Sequence, residues 1–301
     1  MPRLTHLPLA APRRRRTLSP MPRPDRDSPP APPRAVNVCG FKAVAAAFAR
    51  RPKCIQRLFF DAKTAPQTAD MCRWLAQERR VYRQVEPAEL ERIAGTLHHG
   101  GIVAVTERPP LRAPKFQDLA EWQRNGEPLL ILDRIGNPHN LGAIVRSAAF
   151  FGINRLLIQR HPQQAQPTDA AYRVAEGGME HVFIYEVTAL QPFVKQLHSR
   201  FLVVGASVRG GRNLDTAKPP RAPGRPVALL LGNEETGLDP QLERLCELLV
   251  RIPGGGAVES LNVSAAAAVL LQWIAAGRPA PRPGTPPATS TPETPLNEVT
   301  S

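Results

Sequence analysis

Asn140 lies six residues before Arg146, which sits on a stretch, 141–151, that is otherwise largely apolar. An amide can fix the direction of a hydroxyl, and a guanidinium can clamp a phosphate or a carboxylate through charge-assisted hydrogen bonds. The same spacing also fits a helix N-cap at Asn140 and, close to two turns on, an arginine snorkelling to a carboxylate partner. Further along, Leu229, Leu230 and Leu231 run into Gly232, Asn233, Glu234 and Glu235, and the run closes on Gly237 and Leu238. A glycine directly after a buried strand lets backbone approach a ligand closely; a plain turn stopped by Gly237 uses the same residues. A third stretch, Arg251, Ile252, Pro253, Gly254, Gly255 and Gly256, leads to Ser260, Leu261, Asn262 and Ser264. A glycine-rich loop entering a helix suits an anion, and equally suits a capped helix after a flexible loop. The chain has neither the dinucleotide fingerprint nor a Walker lysine at these places.

Side chains of this kind act only if a frame brings them together. Largely apolar runs at 129–132, 155–158, 201–206, 227–231 and 248–252 read as strands, with 181–185 as another. Helices are expected at 141–151, 192–199, 240–246 and 262–274. Continuous apolar strands alternating with helices predict a parallel sheet covered on both faces. In such sheets ligands bind beyond the carboxyl ends of the strands, and all three stretches follow a strand. This α/β domain is expected over 128–276. A smaller α/β domain is expected over 36–105, with helices at 40–48, 68–79 and 87–97 and strands at 57–60, 82–85 and 101–105. Residues 106–127, with Pro109, Pro110 and Pro114, read as a linker carrying a short docking helix through Phe116, Leu119 and Trp122. No internal repeat is evident.

Of the 34 prolines, 10 fall in residues 1–35 and 7 in 278–301. Both tails (1–35 and 277–301) lack apolar periodicity and are expected to be disordered. The net charge is +13, and the first tail contributes +6 of it through eight arginines, among them Arg13 to Arg16, against Asp25 and Asp27. The remaining +7 belongs to the rest of the chain, a balance that attracts polyanions by counterion release. Cys39, Cys54, Cys72 and Cys246 form no C-x-x-C pair, so neither a zinc site nor a disulfide framework is expected. No apolar run reaches the roughly 20 residues of a membrane span, and the start of the chain is not a secretory signal. The reading is a cytoplasmic protein with no metal and no membrane partner. Met21 is an alternative start that would remove the arginine run.

Taken in order, N-x-x-N-x-G-x-x-x-R (Asn137 to Arg146), L-L-G-N-E-x-x-G-L (Leu230 to Leu238) and R-I-P-x-x-G-x-x-x-S-L-N-V-S (Arg251 to Ser264) closely resemble the three motifs of SpoU (TrmH-like) RNA methyltransferases, members of the trefoil-knot superfamily. Residues 36–105 resemble that family's small, ribosomal-protein-like RNA-binding domain more loosely, through Gly40-Phe41-Lys42-Ala43-Val44 and His98-His99-Gly100-Gly101-Ile102. The resemblance implies transfer of a methyl group from S-adenosyl-L-methionine to a ribose 2′-hydroxyl in tRNA or rRNA. It implies a knotted C-terminal domain and a homodimer formed through the knot region, for which the apolar 263–274 helix is suited. By resemblance the catalytic set is Asn140, Arg146, Glu234, Ser260 and Asn262. The cofactor contacts are Gly232, Ile252 and Leu261, with Asn233, Pro253 and Ser264 beside them. An arginine side chain stays protonated, so the expected role of Arg146 is a clamp on phosphate or ribose rather than a base, with Glu234 orienting Arg146 or the substrate. Gly254 departs from the family, which often carries a bulkier residue there, commonly Met. An RNA-binding assembly factor with a silent site, and a knotted enzyme acting on a base, are the competing expectations.

Overall fold

Leu129–Leu132 (β5) and Val227–Leu231 (β10) are apolar at every position, and such strands need cover on both faces. In the computed structural model, which describes residues 35–214 and 224–277, they lie side by side in the middle of a seven-stranded sheet. The other strands are Arg155–Gln159 (β6), Phe183–Val187 (β7), Leu202–Ala206 (β8), Arg212–Asn213 (β9) and Leu248–Arg251 (β11). The order is β7-β6-β5-β10-β8-β11-β9, and every pairing is parallel. Alternate side chains divide between two cores. Leu130, Leu132, Leu229 and Leu231 pack with helices Pro138–Phe150 (α5), Asp169–Ala175 (α6) and Val263–Ala276 (α9). Leu129, Ile131, Ala228 and Leu230 pack with Phe116–Arg124 (α4), Leu190–Leu197 (α7) and Pro240–Glu243 (α8). Within α4, Leu119 and Trp122 are buried as expected, whereas Phe116 is exposed beneath the Arg200 guanidinium.

The preceding layer is a four-stranded sheet ordered β1-β4-β2-β3, made of Ala35–Cys39 (β1), Ile55–Phe60 (β2), Val81–Gln84 (β3) and Ile102–Glu107 (β4). Helices Phe41–Arg50 (α1) and Ala69–Gln77 (α2) cover one face, and Pro87–Ala94 (α3) the other. Strand β1 was not expected from the sequence. Neither was α6, nor the 3-10 turn Gly178–Glu180, because residues 159–180 are broken by Pro162, Pro167, Gly177 and Gly178. The tail readings for 1–34 and 278–301, including the Arg13 to Arg16 run, lie outside the described residues.

The small sheet docks on the large layer through side chains of both. Tyr172 of α6 is buried in the small sheet's core, and Met179 packs against both cores. Gly177, at a φ of 92° that disfavours a side chain, packs closely on α1, where an added Cβ would sit 3.1 Å from Ala46 Cβ. Beside it Arg51 donates to both Glu180 carboxylate oxygens at 2.6 and 2.8 Å and to the Glu107 carbonyl at 2.6 Å.

Candidate active site

Helix α5 starts one residue past Asn137, not at Asn140. The Asn137 side chain accepts from the His139 amide at 2.8 Å, and Pro138 occupies the first helical position. Proline is pre-set for that position and lacks the amide that would go unbonded there, so it decides between two asparagines that could each cap. The expected cap at Asn140 is thereby corrected, and the Asn140 side chain is released for other bonds. Asn137→Ala is expected to lower stability by about 1 kcal/mol, read as a shift of the denaturation midpoint at unchanged slope.

The released amide connects the three motifs. At the start of α9, Asn262 is the cap, and its Oδ1 accepts from the Ser264 amide at 2.8 Å and from Ser264 Oγ at 2.7 Å. A backbone donor therefore fixes which way the Asn262 amide faces. Its Nδ2 donates to Asn140 Oδ1 at 3.2 Å, which leaves Asn140 Nδ2 to donate to Glu234 Oε1 at 2.6 Å. Asn233 Nδ2 approaches Glu234 Oε2 at 3.5 Å. The polarity runs one way, from Ser264 through Asn262 and Asn140 to a carboxylate that can only accept.

Glu234 sits on a turn built for close quarters. Asn233 and Gly237 exchange backbone bonds of 3.1 and 2.9 Å. Asn233 Oδ1 accepts from the Glu235 and Thr236 amides, and its Nδ2 donates to the Arg134 carbonyl at 2.9 Å. The Asn233 side chain thus serves the turn. At Gly232 a Cβ would lie 2.2 Å from the Gly237 carbonyl carbon, so glycine is obligatory for this crossing of backbones.

Sequence reasoning assigned no role to Asp133 and Arg134, which follow β5. Arg134 donates through Nε and Nη2 to the two oxygens of Asp133, each at 2.9 Å, and Asp133 Oδ2 also accepts from the Asp239 amide at 2.8 Å. This hydrogen-bonded pairing with Asp133 raises the Arg134 pKa, outweighing partial burial. Arg134 itself holds a left-handed φ of 57°, unusual for a side chain of its size. The pair ties the loop after β5 to the turn after β10. Gln164, also without a predicted role, is buried and bonds the Ile135 amide and carbonyl, pinning the loop after β6.

These three loops enclose a cleft of about 520 Å³, lined by Asn137, Asn140, Gln163, Asn233, Glu234 and Glu235 among others. It lies over the carboxyl ends of β5, β6 and β10. Ser260 and Leu261 are exposed on the loop before α9, as is Pro253, while Ile252 packs against the large core. Arg146 does not join the amide chain. It pairs with Glu176 at 3.0 Å, and Glu234, expected to orient Arg146 or the substrate, bonds Asn140 instead of Arg146. Six residues along a helix amount to a rise of about 9 Å and a rotation that leaves Arg146 roughly 120° from the Asn140 face.

The model of the SpoU rRNA Methylase family matches residues 127–272, and that of the RNA 2′-O ribose methyltransferase substrate-binding domain matches residues 37–112. The 23S rRNA (guanosine-2′-O-)-methyltransferase RlmB of Bordetella pertussis is 33% identical over 239 residues, covering 78% of this chain and 94% of the relative. The chain belongs to the SpoU rRNA methylase family. An uncharacterized tRNA/rRNA methyltransferase of Escherichia coli O157:H7, YfiF, is 33% identical over 241 residues, covering 78% of this chain and 67% of that protein. The SpoU methyltransferase AviRb of Streptomyces viridochromogenes, solved in complex with AdoMet, has the same fold, with a TM-score of 0.65 at 22% identity over 80% of this chain and 90% of that one. This SpoU chain thus joins a substrate-binding layer and a methylase layer in the order expected, and no helix among its described residues is long and apolar enough to cross a membrane.

Proposed function

We propose that this chain transfers a methyl group from S-adenosyl-L-methionine to a ribose 2′-hydroxyl of ribosomal or transfer RNA. The observation that carries the reading is the one-way amide chain from Ser264 to Glu234, which links all three family motifs at the rim of one cleft. The bound cofactor supplies an electrophilic methyl group on a sulfonium. Backbone at Gly232, Ile252 and Leu261 would hold it, with Asn233, Pro253 and Ser264 beside them. Two features suit such a molecule: Gly232 leaves no side chain at the turn, and Val258 and Leu261, 72% and 49% exposed, offer apolar surface that an adenine would cover.

The residues of the chain then divide the remaining work. Glu234 has carboxylate lone pairs beyond the one taken by Asn140, and these accept a hydrogen bond from the 2′-hydroxyl, aim its oxygen and take up its proton as the oxygen gains the methyl group. Asn140, itself held by Asn262, keeps that carboxylate in place. Such positioning can account for much of a transfer rate, because attack requires the oxygen in line with the methyl and its leaving group. Arg146 meets the adjoining phosphate as a permanent cation, and Ser260, exposed on the loop before α9, is available to the RNA. Exposed Arg57 and Arg83, the latter paired with Glu89 at 3.2 Å, lie on neighbouring strands of the small sheet and add positive charge that would favour RNA. A homodimer and a cytoplasmic location belong to the same proposal. For the dimer, Phe150 at the end of α5 and Val269 on α9 are 82% and 38% exposed, and apolar groups of that size favour a partner surface.

The test is transfer from labelled S-adenosyl-L-methionine to total RNA lacking the modification, followed by mapping of 2′-O-methyl positions. One labelled position is expected, and Arg146→Ala should lower the rate there by about 100-fold, the scale of a lost transition-state contact. RNA binding with neither cofactor binding nor transfer would favour an assembly factor with a silent site. A methyl group found on a base would overturn the ribose assignment.

A further inference from the structure

Arg146 is held outside the amide chain by a residue with no role in the reading above. Glu176 closes α6 in a left-handed conformation, φ 44° and ψ 46°, and its Oε1 lies 3.0 Å from Arg146 Nη1. Left-handed backbone is the province of glycine and asparagine, so local structure alone argues against glutamate here. Stability does not explain it either. The two side chains are 56% and 45% exposed, and an ion pair open to solvent contributes little.

The backbone that carries the pair is nevertheless held in place. A Cβ on Gly178 would lie 3.1 Å from the Arg146 Cα, so the backbone after Glu176 packs directly on α5. One residue earlier, Gly177 packs as closely on α1 of the small sheet, and Glu180 is locked by Arg51. Residues 176–180 therefore seat the small sheet and present a carboxylate to Arg146 at the same time.

We propose that Glu176 is a positioning residue for Arg146, a displaceable counterion that holds the guanidinium until an RNA phosphate takes its place. The proposal rests on the methyltransferase reading for the identity of the phosphate. In free protein the carboxylate keeps Arg146 extended across α5 toward α6. An arriving phosphate, which accepts the same guanidinium hydrogens, competes for it. RNA that cannot place a phosphate there must bind against the Glu176 charge, so the pair raises the threshold for any polyanion that merely adheres to the basic surface.

The test is a double-mutant cycle of Glu176→Gln and Arg146→Ala. Binding of a fluorescein-labelled RNA hairpin is read by anisotropy at fixed ionic strength. KM for RNA and kcat are read beside it, together with the melting temperature. Glu176→Gln should tighten RNA binding and lower KM by about two- to five-fold, the scale of one exposed ion pair, without changing the melting temperature. In the Arg146→Ala background the same substitution should change binding little. Equal tightening in both backgrounds would reduce Glu176 to general surface charge and overturn the proposal, as would no tightening at all. A fall in melting temperature with unchanged binding would make it structural. A wild-type protein that binds RNA but methylates none sinks the catalytic reading, while the binding cycle still decides the role of Glu176.

Discussion

Arg51→Ala is expected to lower stability by about 3–5 kcal/mol, the scale of a broken buried ion pair. The Glu180 side chain is only 4% exposed and that of Arg51 14%, so the pair is largely shielded from water. The substitution leaves a carboxylate and the Glu107 carbonyl without the donor that Arg51 now provides at 2.6 Å to each. Burial, the largest single influence, depresses the Arg51 pKa, but the hydrogen bond to Glu180 together with the Coulombic attraction of Glu180 and its neighbours outweighs it and raises the pKa above the ordinary arginine value. In a chain of this size the loss corresponds to a melting temperature lower by about 10 °C. Because the pair joins the two layers, the small sheet should also become more accessible to protease than the large one. A double variant, Arg51→Met with Glu180→Leu, should recover most of the loss, since apolar groups of similar volume commonly replace a buried pair at little cost. A loss below about 1 kcal/mol, the range of exposed pairs, would mean that water reaches this pair in solution and that the small sheet is not firmly seated.

Gly232→Ala should abolish measurable cofactor binding, weakening it by about 100-fold or more, equivalent to about 2.8 kcal/mol. The added methyl would meet backbone, at 2.2 Å from both the Gly237 carbonyl carbon and the Leu238 nitrogen. No rotamer change relieves such a contact, so the turn has to open. Opening it breaks the Asn233–Gly237 bonds and carries Glu234 away from Asn140. Global stability should fall by about 1–3 kcal/mol, the usual cost of overpacking, so the folded variant remains available for titration calorimetry. Cofactor binding at the wild-type level would place the cofactor away from this turn.

Much of this centre was legible in the chain because strand ends with unusual residues announce themselves. Gly232 and Glu234 follow an all-apolar run, and Asn262 precedes a long apolar helix. Their types and order were enough to indicate the family, the parallel sheet and the layer before it. The helix start at Asn137 was harder, because Asn137 and Asn140 are both good caps and only the proline between them separates the two. Strand β1 was missed beside a proline-rich stretch. Helix α6 was missed because its inward residues, Ala171, Tyr172 and Ala175, gain their burial partly from the small sheet's core.

By itself the sequence determined which residues could act and that they would gather at the carboxyl edge of a parallel sheet, since hydrophobic period and strand-end chemistry are local properties. Only the tertiary structure decided who bonds to whom. The insertion of β10 between β5 and β8 brings Glu234 within 2.6 Å of Asn140, 94 positions away in the chain, and the return of α9 onto α5 adds Asn262. Arg146 went to Glu176 because the close packing of Gly178 on α5 and the left-handed end of α6 set those two side chains together. Long-range register and backbone approach of this kind leave no periodic trace in a sequence, because each depends on two segments folding at once.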